Sequence, residues 1–439
     1  MTENEISTVS RRTFVQTTAA ATAAMMWQGG AHVAGSDMVR VGVIGCGGRG
    51  TGAAMNVMEA ADGVEIVALG DLMPDRIAEC RAELTKAAAK TPALAAKLKV
   101  TDERCFSGFD NFEKVLATDI NYVILASPPG FRPKHLAAAV AAGKHIFTEK
   151  PVAVDSAGIR SVLATHKLAV QKGLGVGAGT QRRHQAEYLA MIKRIHDGAI
   201  GDVVSGQVFW NQEGLWNKAR EASWSDAEWQ IRNWLYFTWL SGDHIVEQHV
   251  HNIDVANWVL NAHPIRATGV GGRQWRTDPK FGHVYDHFGI DFEYASGARV
   301  MSMCRQIDGT AGRIAESFGG TKGSAILGDR APGRILGPNA WTLEKPAKPF
   351  VSPYVQEHID LIASIRAGKP YNELQQVAES TLTAIMGREA AYTGQEITWE
   401  QVLNADQDLT PPSLALGPLP VPSVAMPGRT KLSRKFADT

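Results

Sequence analysis

The sequence predicts an α/β protein in two parts: a doubly wound, parallel-sheet domain, then a C-terminal α/β domain with a largely antiparallel, open sheet. Three observations predict it. From Met38 onward, short apolar runs alternate with helix-forming stretches, the order of a parallel sheet wrapped on both faces. The first run, Val39–Ile44, opens directly into Gly45-Cys46-Gly47-Gly48-Arg49-Gly50, whose glycines follow the spacing G-x-G-x-x-G. After about Asp155 the texture changes, and between Ala267 and Leu327 β-type runs such as Phe288–Tyr294 and Arg299–Cys304 succeed one another. Such runs suit a sheet with one packed face and one face left for a ligand or partner.

The elements follow in order. Val39–Ile44 is a strand, Gly45–Gly50 a turn, and Thr51–Ala61 a helix; Val64–Leu69 is the second strand, closed by Gly70-Asp71. Pro74–Ala89 is rich in Ala, Arg and Glu and reads as a helix. Asn121–Ala126 is a strand leading to the loop Ser127-Pro128-Pro129-Gly130. Pro133 suits the first turn of the next helix and Gly143 the position just past its end. His145–Thr148 is another strand, and Ser156–Lys172 a helix before the Gly-rich strand Gly173–Gly179. Ala186–His196, Asp243–Leu260, Tyr354–Ala367 and Ala378–Tyr392 read as further helices. Between Gln207 and Trp239 lies an aromatic stretch holding Trp210, Trp216, Trp224, Trp229, Trp234, Tyr236, Phe237 and Trp239. After Thr410 prolines are frequent and apolar periodicity fades, the mark of an extended arm ordered only by docking on another surface. The expected divisions are residues 1–36, 37–155, 156–409 and 410–439.

Composition narrows the classes. The 439 residues are 44% hydrophobic and 21% charged, ordinary for a globular protein. Lys+Arg and Asp+Glu are both 45, so no net field invites nucleic acid or an anionic membrane. Four cysteines, Cys46, Cys80, Cys105 and Cys304, lack metal spacing, and a chain of this length needs no disulfide framework. At the N-terminus, Ser10-Arg11-Arg12-Thr13-Phe14-Val15 precedes a small, mostly apolar run from Thr17 to Trp27. That order reads as a twin-arginine export signal, and the run is too short and too rich in Ala and Thr to span a bilayer. Periplasmic or otherwise exported residence is expected. No clean cleavage site precedes Asp37.

The glycine loop has its full context: a strand before, a helix after, and an acid closing the next strand. Gly45 permits the tight turn, Gly47 lets the backbone approach a pyrophosphate, and Gly50 lets the helix pack close to the strand. The helix N-terminus offers N–H groups to the phosphates. Asp71 is placed to accept from the adenosine ribose hydroxyls and would repel a 2′-phosphate. NAD is therefore expected over NADP, in a Rossmann domain. An exported protein meets little free cofactor. The twin-arginine route carries folded proteins, so the cofactor can travel already bound.

Two further constellations carry chemistry. Glu149-Lys150-Pro151 closes a strand of the same sheet, and ligands of open α/β sheets bind beyond the strands' carboxyl ends. A lysine there can polarise a carbonyl or bond a hydroxyl. Gly242–Asp254 contains His244, Glu247, His249, His251 and Asp254. Glu247 and His251 stand four apart, one face of a helix, and a carboxylate beside an imidazole is general-base apparatus. Metal ligation by His244, Glu247 and His251 ranks lower, because the spacing is not H-E-x-x-H, and no metal is expected.

The fingerprint, Glu149-Lys150-Pro151 and the acid-x-x-x-His helix, in this order, resemble the Gfo/Idh/MocA oxidoreductase family from Val39 to about Leu403. Gly387-Arg388-Glu389-Ala390-Ala391-Tyr392-Thr393-Gly394 is similar to its exported, twin-arginine branch. The resemblance implies Lys150 as the motif lysine and His251 as the catalytic base. Glu247 stands where the family usually has Asp, and His249 replaces a usual small residue, which implies crowding that alters substrate choice. Catalytic candidates are thus Lys150, His251 and Glu247. Cofactor candidates are Gly45, Gly47, Gly48, Arg49, Gly50, Asp71, Ser127, Pro128, His135 and Glu149. Substrate candidates are Arg182, Arg183, His184, His244 and Tyr285, with a salt bridge an equal alternative for the arginines, and a core or interface role an alternative for the aromatic stretch. The family's substrates imply a carbohydrate or polyol partner and a homodimer or homotetramer. Two activities follow: an NAD-dependent oxidoreductase on a sugar or polyol CH–OH group with retained, recycled cofactor, or a redox-neutral NAD-dependent glycoside hydrolase. A non-catalytic sugar-binding scaffold is the third, disfavoured by intact Lys150, Glu247 and His251.

Overall fold

A computed structural model describes residues 37–328, 332–344 and 349–436. The export motif and its apolar run lie outside these residues. The first sheet has six parallel strands: β1 (Val39–Ile44), β2 (Val64–Asp71), β3 (Cys105–Ser107), β4 (Tyr122–Leu125), β5 (His145–Thr148) and β6 (Val176–Ala178). Their order is β3-β2-β1-β4-β5-β6, so winding reverses between β1 and β4. That reversal opens a crevice at the strands' carboxyl ends, where the Gly45–Gly50 turn lies. β1 and β4 are almost wholly buried, as expected of strands covered on both faces. The helix Arg132–Ala141 starts with Pro133 in its first turn, and Gly143 beyond its end has φ 69°.

The first sheet runs past the expected boundary at residue 155, because β6 pairs with β5 and belongs to it. The chain also returns to this domain: helix Pro353–Arg366 packs on the loop helix Gly48–Ala60. The expected boundary followed a change of texture, whereas pairing follows the ladder.

The second sheet has nine strands: β7 (Val203–Gln212), β8 (Pro264–Gly272), β9 (His287–Tyr294), β10 (Arg299–Gln306), β11 (Arg313–Gly320), β12 (Gly323–Leu327), β13 (Arg334–Leu336), β14 (Trp341–Thr342) and β15 (Ile397–Thr398). Their order is β14-β13-β12-β11-β7-β10-β9-β8-β15, with β7 and β10 parallel and every other pair antiparallel. Burial alternates residue by residue along β9 and β10, so one face is packed and one open. Helices Val250–Leu260 and Leu374–Thr393 fill the packed side. The second is buried nearly all round, which removes the amphipathic stripe of a surface helix.

The expected helix Asp243–Leu260 is broken. A short helix, His244–Glu247, ends at Gln248, and Val250–Leu260 starts a new one. Asp243, before the break, has φ 74° and caps His244 through its own carboxylate. The C-terminal arm is ordered on its own chain. Arg434 grips the fully buried Glu389, Leu419 O accepts from Gln230 Nε2 at 2.9 Å, and Phe436 meets the edge of Trp239. Among the described residues no helix is long and apolar enough to cross a membrane.

Candidate active site

Close contact explains the glycine loop. Gly45 has φ 96°, and a Cβ there would stand 2.3 Å from Ser127 N; a Cβ on Gly50 would stand 1.8 Å from Gly45 O. A Cβ on Gly47 would meet nothing within 4 Å, so its backbone lies open to a ligand. Asp71 accepts from Cys46 N at 2.7 Å and Met73 N at 2.9 Å, and burial raises its pKa. A cavity of about 470 Å³ lies against Gly45, Gly47, Gly48, Arg49, Asp71, Ser127 and Pro128. Trp216, Lys218 and Trp234 of the second domain close its other side. Open glycine backbone at a helix N-terminus, with a carboxylate at the end of the next strand, fits a dinucleotide.

Two cofactor candidates, His135 and Glu149, lie outside the cavity wall, and Arg49 lines it while its guanidinium is committed to a partner. His135 lies stacked on Phe112 with ring centroids 4.5 Å apart, outside the cavity wall, and burial depresses its pKa to about 3. Its neighbour Arg132, which sequence reasoning missed, braces the end of β4 by donating to the carbonyls of Leu125 and Ser127. Arg49 turns its guanidinium onto Glu149 at 2.5 Å and over the Tyr354 ring at 4.9 Å. Glu149 is in turn pressed against Gly179. Arg49 and Glu149 thus tie the loop helix to the sheet's far strands.

Lys150 follows β5 and joins Pro151 through a cis peptide. Its Nζ donates to Glu247 Oε1 at 2.9 Å and to Glu247 O at 2.7 Å, and both side chains are nearly buried. Glu247 was expected to orient His251. The helix break sends it to the lysine instead, because the four-residue rule holds only along one continuous helix. Among the described residues His251 has no side-chain hydrogen-bond partner, and its Nδ1 is buried. The ring stacks on Trp210 at 5.7 Å. Burial first, then the charges of Lys150, Arg182 and Arg49, hold its pKa well below the ordinary histidine value. A neutral imidazole beside an ammonium is what results.

The remaining candidates are committed to partners. Arg182 pairs with the buried Glu316 at 2.5 Å and lies over the Trp210 ring. Arg183 grips Asp254 through two bonds of 2.9 Å, so Asp254 serves that pair and not the face of His251. His184 bonds Asp360 at 2.6 Å and faces Glu373 at 3.3 Å. His244 bonds Asp243 at 3.0 Å and packs on Phe288. Tyr285 donates to Ala425 O at 2.8 Å, on the side of the C-terminal arm. His249 is fully buried against Ser302 at 2.8 Å, so the expected crowding falls inside the sheet. The aromatic stretch divides by environment. Trp229, Tyr236, Phe237 and Trp239 form a core, Trp210 lies under His251, and Trp216 and Trp234 face the cofactor cavity. Among the described residues no group of three or more His, Cys, Asp or Glu could hold a metal ion.

A Rossmann loop and a strand-end lysine facing a second, open-sheet domain define a two-domain nicotinamide-nucleotide oxidoreductase class. The chain belongs to the Gfo/Idh/MocA family: residues 39–179 match its model described as "Oxidoreductase family, NAD-binding Rossmann fold", and residues 188–326 match the "GFO/IDH/MocA C-terminal domain". Its cofactor is NAD. The inositol 2-dehydrogenase of Acidothermus cellulolyticus is 25% identical over 54% of this chain and 58% of its own length. A glycosyl hydrolase family 109 protein of Streptomyces niveus is 28% identical over 40% of this chain and 33% of its own. The chain thus spans about half or less of the length of these relatives. The crystal structure of aldose-aldose oxidoreductase from Caulobacter crescentus complexed with glycerol superposes with a TM-score of 0.63 at 18% identity, covering 82% of this chain and 99% of that one, a likeness of fold.

Proposed function

We propose that the protein is an NAD(H)-dependent oxidoreductase acting on a CH–OH group of a sugar or polyol, with its cofactor kept bound and recycled in place. One observation carries this reading: Lys150, at the carboxyl end of β5, is held by Glu247, and its charge reaches the buried His251 stacked on Trp210. Bound NAD supplies a hydride acceptor there. Lys150 donates a hydrogen bond to the substrate oxygen and stabilises negative charge as it develops. His251 takes the hydroxyl proton, and its low pKa keeps it unprotonated throughout the neutral range. Glu247 holds the lysine in place through side chain and backbone together. The names of the inositol 2-dehydrogenase and of the aldose-aldose enzyme support the substrate class.

The second reading is a redox-neutral glycoside hydrolase, in which oxidation, elimination, hydration and reduction return the cofactor to its starting state. The glycosyl hydrolase relative favours it, and export suits both readings alike, since neither needs external NAD. Export itself rests on Ser10–Val15. Lysines in place of Arg11 and Arg12 should hold the protein in the cytoplasm. For assembly we propose a homo-oligomer built on the open sheet. Val270, Met301 and Met303 form an exposed apolar row on that face, bordered by the Arg299–Asp291–Glu293 charges.

Mass spectrometry of ligand released from purified protein, followed by screens of polyols and glycosides with the cofactor left bound, tests the proposal. Net NADH formation or hydride exchange between two sugars is the expected outcome. Aglycone release without net NADH selects the hydrolase, and inertness in both screens leaves the scaffold.

A further inference from the structure

We infer that a clamp from the second domain, the segment Leu215–Tyr236, holds the adenosine–pyrophosphate half of NAD and sets how slowly the cofactor leaves. The inference rests on the NAD reading of the cavity and deepens it by naming what retains the cofactor.

The cavity that begins at Gly45–Arg49 and Asp71 does not open directly to solvent across its whole width. Trp216, Lys218 and Trp234 face it from the second domain. The two indoles stand 6.5 Å apart, tilted by 59°. Flat aromatic faces suit a purine ring, and an ammonium suits a pyrophosphate dianion. Trp216 is 46% exposed, so its indole is open to a ligand on the cavity side.

The segment is built to stay where it is. Tyr236 Oη shares its one proton between the carbonyls of Leu215 at 3.0 Å and Trp216 at 2.9 Å. Asn233 is fully buried. Its Oδ1 accepts from Lys218 N at 2.8 Å, and its Nδ2 donates to Lys218 O at 3.1 Å. Three donors therefore fix the backbone that carries Trp216 and Lys218. The segment is also fastened to the Rossmann domain at the ribose end of the cavity. Arg232 makes two bonds to Asp75, of 2.8 and 3.0 Å, and is steadied by Glu228. Met73, two residues past Asp71, is buried in the aromatic core with Trp229 and Tyr236. The C-terminal arm closes that core through Leu419 and Phe436. A cofactor leaving by this side must first lift Trp216 and Lys218 off the cleft. Asn233 is a positioning residue in this account, and Trp216 and Lys218 are contact residues.

The test measures release of NADH from the full-length protein by stopped-flow displacement, for the parent, Trp216→Ala, Asn233→Ala and the distal surface variant Lys193→Ala. Thermal unfolding without cofactor is measured in parallel. Trp216→Ala and Asn233→Ala should each speed release about 10-fold or more, the loss of roughly one stacking or hydrogen-bonding contribution. Lys193→Ala should match the parent, Trp216→Ala should keep the parent's cofactor-free melting temperature, and Trp216→Phe should restore slow release. Parent-like release from both Trp216→Ala and Asn233→Ala overturns the clamp and leaves the NAD reading standing. A parent that binds no NAD overturns both.

Discussion

At the residue scale, burial decides what each histidine can do. His251 is depressed by burial and three neighbouring cations, so its proton-accepting form persists to lower pH than a free imidazole allows. The acidic limb of kcat/KM is expected below the usual histidine range, and a limb at ordinary histidine pH would contradict the assignment. His251→Ala or Lys150→Met should lower turnover by roughly 10²–10⁴-fold with NAD binding kept, read by steady-state rates beside NAD titration. His135 has the same depression without the chemistry. Its folded pKa of about 3 lies below the unfolded value, so the unfolded chain binds the proton first. Its stability contribution is whole above about pH 6.5 and declines as pH falls toward 3. His135→Leu should flatten the fall of melting temperature over that window, with about 1 kcal/mol less loss at pH 5.5. Sequence read His251 as the base and His135 as a cofactor ligand, and only packing shows that His135 stacks on Phe112 while His251 stacks on Trp210.

At the element scale, local signals were legible where geometry is local. Pro133 and Gly143 mark their helix because capping needs only nearby residues, and Gly45, Gly47 and Gly50 mark the loop because side chains there collide with it or block a ligand. Gly50→Ala puts a methyl into Gly45 O. It should cost about 3 kcal/mol and abolish NAD binding, measured by denaturant unfolding and calorimetry. The helix around Glu247 was less legible. The i,i+4 pattern is present, but Asp243 at φ 74° spends its carboxylate on His244, Tyr285 and Tyr392, and the chain restarts after Gln248. Arg182, Arg183 and His184 likewise looked like ligands for a substrate. Their carboxylate partners come from residues 70 to 190 positions away, beyond any periodicity.

At the scale of the whole molecule, the two sheets were foreseeable from alternation and their joinery was not. The C-terminal arm reads as an unpatterned tail, yet Arg434 neutralises Glu389 inside the helix Leu374–Thr393. Arg434→Ala removes one of the two guanidiniums on a buried carboxylate and should cost about 3–5 kcal/mol, seen as a lower denaturant midpoint. On the open sheet, Met303→Arg puts a charge in the centre of the apolar row. It should dissociate the oligomer in sedimentation velocity with the NAD site intact, and an unchanged mass would place the interface elsewhere. These features serve one central claim: His251 takes the proton of a carbohydrate hydroxyl and Lys150 bonds its oxygen, while the carbon bearing that hydroxyl gives its hydride to an NAD that stays in place. The most direct test loads the protein with NAD, removes free cofactor, and follows bound-NADH fluorescence on mixing with a panel of polyols and aldoses. The account predicts up to one equivalent of bound NADH with at least one polyol, its reoxidation by a second sugar, and at least about 100-fold slower formation in His251→Ala. No bound NADH with any member of the panel, or formation by His251→Ala at the parent's rate, would contradict it.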